Sequence, residues 1–112
     1  MPSISDTRST ATGVRVANLI AGNRFEFPPG GRITSIRGGI VSNVNDVLAT
    51  FSVGDRIIVE DYAVPVESAV GVVSRDRDFN WLANAQPGER IVVSLQNNNV
   101  GAAQSTLLLE LN

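Results

Sequence analysis

The chain reads as all-β, a single antiparallel β-sandwich, in its fullest form an eight-stranded jelly roll. Three observations predict this. Apolar and polar residues alternate over short runs, the period of a half-buried strand, and turn dipeptides such as Gly22-Asn23 and Gly54-Asp55 separate the runs at even spacing. No segment longer than about ten residues keeps a helical period. The length of 112 residues makes one domain. An immunoglobulin-like sandwich of seven strands is the alternative, because strand order is not readable from the runs.

Residues 1–12 are rich in Ser and Thr, carry no hydrophobic period, and read as a flexible N-terminal arm ahead of a β domain at 13–112. The expected strands are 13–20, 24–27, 32–37, 47–53, 56–62, 69–74, 90–96 and 104–111. In the first, Val14 and Val16 flank Arg15. In the second, Phe25 and Phe27 share the core face while Arg24 and Glu26 face away. Pro28-Pro29-Gly30-Gly31 stops that strand, and Gly38-Gly39 permits a bend or bulge after the third. Val47, Ala49, Phe51 and Val53 alternate with Leu48, Thr50 and Ser52, and Gly54 at the first loop position then suits a type II′ hairpin into Arg56, Ile57 and Ile58. Pro65 marks an edge or a connection, because it cannot donate to a ladder. Phe79 to Leu82 is open between strand and turn. Gln86-Pro87-Gly88-Glu89 fits a type II turn, and the Asn97-Asn98-Asn99 run tolerates left-handed backbone and closes another. Leu107, Leu109 and Leu111 share one face of the last strand.

All nine basic residues are Arg, and the chain has no Lys, His or Cys. No imidazole shuttles protons, no thiolate attacks or holds zinc, and no amine forms a Schiff base. Ser and Thr have no base beside them. What remains suits contact more than bond-making. Charged residues are 18% of the chain, below the roughly 25% of an ordinary domain. Asn, Ser and Thr replace them, and Arg is less hydrated than Lys. Such a surface suits one that other chains cover, although a preference for Arg codons gives the same count. The net charge of −2 and the scatter of Arg among eleven acids supply no basic footprint, which argues against nucleic acid as partner. No apolar run approaches the roughly 20 residues of a membrane span, and the start of the chain does not resemble a signal peptide.

Each candidate site has a plainer reading beside it. Glu60 and Asp61 are consecutive, so on a strand they face opposite ways and do not converge on a metal. Asp76 and Asp78 could share a face, but Arg75 and Arg77 neutralise them; a solvated loop or an interface contact fits better than calcium. No carboxylate pair is marked as glycosidase-like. Neither a metal nor a cofactor is expected. Of the aromatics, only Trp81 and Tyr62 are available as platforms for a sugar; a lone Trp in a small sandwich is more often core, and Trp81 after the charged loop is the candidate for partial exposure at an interface. The residues expected at contacts are Ser5, Asp6, Thr7 and Arg8 of the arm, Arg75, Asp76, Arg77 and Asp78, Trp81, and Asn97, Asn98 and Asn99.

A polar arm followed by an amide-rich β body, with stretches such as QPGERIVVSL (86–95) and STLLLELN (105–112), resembles the small jelly-roll decoration or cement proteins of phage capsids. The resemblance covers roughly 13–111 and lies in style, with no diagnostic motif, so it carries over no functional residue. It implies a non-enzymatic virion protein on the outside of a shell, made in the host cytoplasm. The partners it implies are the major capsid protein and copies of itself, in a trimer or other closed ring. The other reading is a carbohydrate- or receptor-binding module of a spike or tail, which needs Trp81 or Tyr62 exposed.

Overall fold

A computed structural model describes residues 3–23, 26–27, 33–66, 73 and 79–112. Eight strands follow in order: β1 (Ser3–Thr10), β2 (Arg15–Val16), β3 (Thr34–Ser42), β4 (Val47–Val53), β5 (Arg56–Ala63), β6 (Trp81–Ala85), β7 (Ile91–Asn97) and β8 (Ala103–Leu111). They form two four-stranded sheets, β1-β8-β3-β6 and β2-β7-β4-β5. The antiparallel pairs β1·β8, β2·β7, β3·β6 and β4·β5 are nested, as if one long hairpin had been folded across both sheets. This is the jelly roll, and it rules out the seven-stranded immunoglobulin order.

The core follows from period-two alternation. β4 turns Val47, Ala49, Phe51 and Val53 inward, and β7 answers with Ile91, Val93 and Leu95. The other sheet contributes Ile36 and Ile40 from β3 and Leu107, Leu109 and Leu111 from β8. Trp81 on β6 stacks on Phe51 across the sandwich, with centroids 5.2 Å apart and planes at 12°, and Tyr62 meets the same indole edge-on at 5.5 Å. The hairpin at Gly54-Asp55 forms as expected: Gly54 has φ 58° and Asp55 does not share a positive φ, the type II′ pattern. At the next turn, Gly88 has φ 81° and the Glu89 amide donates to Gln86 O.

Several expectations are corrected. Residues 3–10 of the supposed arm are β1, paired residue for residue with β8 from Ser3↔Glu110 to Thr10↔Ala103. The apolar signal was missing because only Ile4 fills the core, while Asp6 and Arg8 take inward positions at the sheet edge. The strand expected at 13–20 shrinks to Arg15–Val16, because Asn18 begins a turn and its carboxamide bonds backbone on both sides. Glu26 is buried and Phe27 half-exposed, the reverse of the expected faces, and neither lies in a strand. β3 runs straight through Gly38-Gly39; the glycine is needed there because a Cβ on Gly38 would overlap Leu108 O and Leu109 of β8. The irregularity falls instead on β4·β5, where Asp61 has φ 49° and its amide donates to Thr50 Oγ1. The expected strand 69–74 lies outside the described residues save Val73, which is not in a strand. The open segment near Trp81 becomes β6.

Among the described residues the four edge strands are each blunted. β1 carries the inward Asp6–Arg8 pair, β2 has only two residues, and β5 is bulged and bears Glu60 and Asp61. On β6 the outward carbonyl of Asn84 is capped by Arg56 at 2.7 Å. Short, bulged or charged edges resist strand addition.

Candidate interaction surfaces

Among the described residues no group of three or more His, Cys, Asp or Glu could hold a metal ion. No helix among them is long and apolar enough to cross a membrane. Two glutamates are buried among the described residues, Glu110 on β8 and Glu26, and Glu26 lies at the centre of a hydrogen-bonded hub. It accepts from the Gly22 amide (2.9 Å), from Asn18 Nδ2 (3.2 Å) and from Arg90 Nε, while its own carbonyl accepts from the Ile91 amide (2.8 Å). The Gly22 amide first, then Arg90, hold its carboxyl below the usual carboxylate range, against burial, which pushes it up. Asn18 completes this hub by accepting from the amides of Ile20 (3.2 Å) and Val93 (3.1 Å) and donating to Ile91 O (3.3 Å). The hub fixes the β2–β3 connection against β7.

The connection overhangs a cleft of about 270 Å³ along β1, walled by Ile4, Ser5, Asp6 and Arg8 and by residues 19–23. Arg8 donates to Leu19 O at 3.3 Å and sits 3.5 Å from Asp6 Oδ2, which is buried without a hydrogen-bond donor. The pair plugs the open side of the sandwich. Ser5 and Thr7 point to the outer face, where the Thr7 and Thr106 hydroxyls meet at 3.2 Å. The expected contact residues Ser5, Asp6, Thr7 and Arg8 are therefore part of the sheet.

Arg75, Asp76, Arg77 and Asp78 lie outside the described residues. Trp81 is only 2% exposed, so the expected partial exposure at an interface is corrected: the indole is core. The Tyr62 ring leans on it and its hydroxyl accepts from Asn80 Nδ2 at 2.9 Å. Neither ring is a free platform.

The amide run is split in use. Asn97 is fully buried; it donates to Thr10 O (2.9 Å) and Gly101 O (3.0 Å) and accepts from the Asn99 amide (2.9 Å). Asn99 is half-buried: its carboxamide donates to Asn45 O (3.1 Å) and Oδ1 (2.8 Å) and accepts from the Gly101 amide (2.9 Å). The Asn98 amide donates to Asp46 O at 2.8 Å, Thr12 Oγ1 donates to Asn99 O, and Asn43 Oδ1 accepts from the Gln104 amide at 2.8 Å. The loops at 11–14, 43–46 and 98–102 are thus knotted together at one end of the sandwich. Their single formal charge is Asp46. Asn98 is exposed, and at the tip Val100 is 97% exposed. Sequence reasoning missed Val100; its signal is a valine standing where a turn tip ordinarily carries Gly, Asn, Asp or Ser.

The opposite end differs. There Arg56 pairs with Glu89 at 3.0 Å, Glu89 accepts from the Gln86 amide at 2.7 Å, and Arg90 reaches Glu26. Two ion pairs, Arg56–Glu89 and Arg90–Glu26, stand at that end. No protein-family model, curated protein or solved structure matches this chain.

Proposed function

We propose that this chain is a non-enzymatic assembly protein, a decoration or cement protein of a phage capsid, which clamps neighbouring subunits of the shell and associates with copies of itself. The observation that carries the reading is a jelly roll with blunted edges whose amide-rich loop end is rigid and nearly free of charge. Such a surface is shaped for contact, because charge is depleted at interface centres and preorganised loops lose little entropy on binding. The absence of Lys, His and Cys supports the same reading. Edge-to-edge sheet extension across subunits fits poorly with the blunted edges, so contact runs through loops and faces. A sugar-binding module loses its support, since Trp81 lies in the core and Tyr62 is packed against it.

The test is co-sedimentation of the purified protein with empty shells of the major capsid protein encoded in the same genome. The expected result is stoichiometric binding that raises the temperature at which the shells open. A protein left wholly in the supernatant, or a genome without a capsid gene, refutes the reading.

A further inference from the structure

The knotted loop end has a chemistry that matches itself. We infer that it is the surface by which two copies of this chain meet, related by a twofold axis, with Val100 at the centre. The inference deepens the assembly reading and rests on its self-association.

A twofold contact sets every group against the same patch on the other copy. A patch of Arg or Asp would repel its own image. Carboxamides and hydroxyls both donate and accept: Asn98 is exposed, and beyond the internal bonds they make Asn43 and Asn45 keep their amide N–H donors and Thr12 its acceptor oxygen for a bond to the other copy. Valine packs on valine; Val14, 43% exposed, lies one loop away from Val100 at the rim of the patch, where exposed Arg15 follows it. Across loops 11–14, 43–46 and 98–102 only Asp46 interrupts this uncharged field.

Rigidity distinguishes this end from the other exposed apolar residues. Asn97 and Asn99 hold the 98–101 loop from inside, so its shape is set before any partner arrives. Val100 gains nothing for folding by standing in water on such a loop; burial of a valine side chain is favourable, and here only another molecule can supply it. Leu82, 69% exposed, lies opposite Arg37 on the outer face of its sheet, and Ile57, 60% exposed, follows Arg56; each has a charge beside it.

Three short loops offer fewer than the 20–30 residues a side of a standard interface. The contact is therefore weak in free solution and strengthens when copies share a surface that raises their effective concentration.

Sedimentation velocity over a concentration series to about 1 mM, with amide shifts followed by NMR on dilution, tests this. The wild type is expected to dimerise reversibly, with shift changes confined to 11–14, 43–46 and 98–104. Val100→Asp is expected to weaken the dimer at least about tenfold with an unchanged melting temperature, because that side chain touches nothing in the monomer. Leu82→Asp and Ile57→Asp are expected to leave it intact. A wild type monomeric throughout, shift changes at other residues, or loss of the dimer in Leu82→Asp or Ile57→Asp instead of Val100→Asp overturns the inference. Shell co-sedimentation is a separate readout: a monomer that still binds shells refutes the twofold contact and leaves the assembly reading standing.

Discussion

Replacing Asn97 is the sharpest probe of the loop end. Its carboxamide makes three hydrogen bonds, to Thr10 O, Gly101 O and the Asn99 amide, from a fully buried position. In Asn97→Ala the Thr10 carbonyl, in a buried residue, is left without that donor at a cost of about 1–3 kcal/mol. The two part-buried bonds add about 0.5–1.5 kcal/mol each, for a total of about 2–6 kcal/mol, a large fraction of the roughly 5–15 kcal/mol that holds a domain folded. Asn97→Asp has the same shape but a different outcome. The carboxylate still accepts from Asn99, yet it sets an oxygen where an N–H faced two carbonyls, and it buries an unpaired charge. It is expected to cost at least as much as alanine at neutral pH. Urea unfolding read by the fluorescence of Trp81, the single tryptophan, measures both variants. An aspartate variant within about 1 kcal/mol of wild type refutes the reasoning, since shape and not donor chemistry would then hold the loops.

Three further outcomes follow from other parts of the fold. Glu26 titrates below its ordinary value of 4.5 when folded, so its contribution to stability is complete above that pH and is lost as pH falls through the lower folded value. Thermal melts from about pH 6 to about pH 3 should fall more steeply for the wild type than for Glu26→Gln, and parallel curves would show that the carboxylate adds nothing. Gly38→Ala should destabilise by about 2 kcal/mol or more, because the new methyl meets backbone of β8 and not a flexible side chain; an unchanged denaturation midpoint would refute that close approach. Arg56→Ala removes an exposed ion pair and should change stability by less than about 1 kcal/mol, yet it uncovers the Asn84 carbonyl on the β6 edge. Light scattering should then show slow growth of larger species, and a variant as monodisperse as wild type would show that Arg56 does not guard that edge.

The strands legible in advance were those with one face in the core and one in water. β4 and β7 carry that alternation in their own residues, β8 was legible through Leu107, Leu109 and Leu111 although Thr106 and Glu110 on its other face are also buried, and the Gly54-Asp55 and Pro87-Gly88 turns carry their backbone requirements. Local chemistry suffices there because burial and φ are decided residue by residue. β1 was illegible for the converse reason: Asp6 and Arg8 occupy inward positions, and only pairing with β8 makes a strand of Ser and Thr. The nested strand order, the placement of Glu26 inside and Phe27 outside, and the burial of Trp81 against Phe51 all depend on partners thirty or more positions away. The division of labour among Asn97, Asn98 and Asn99 is the clearest case. Three identical side chains become a buried tie, an exposed amide and a half-buried brace, because Thr10 O, Asp46 O and Asn45 O reach them from distant loops. Composition announced that this polypeptide has no Lys, His or Cys; which of its uncharged loops are tied to one another was decided only when the tertiary structure brought them together.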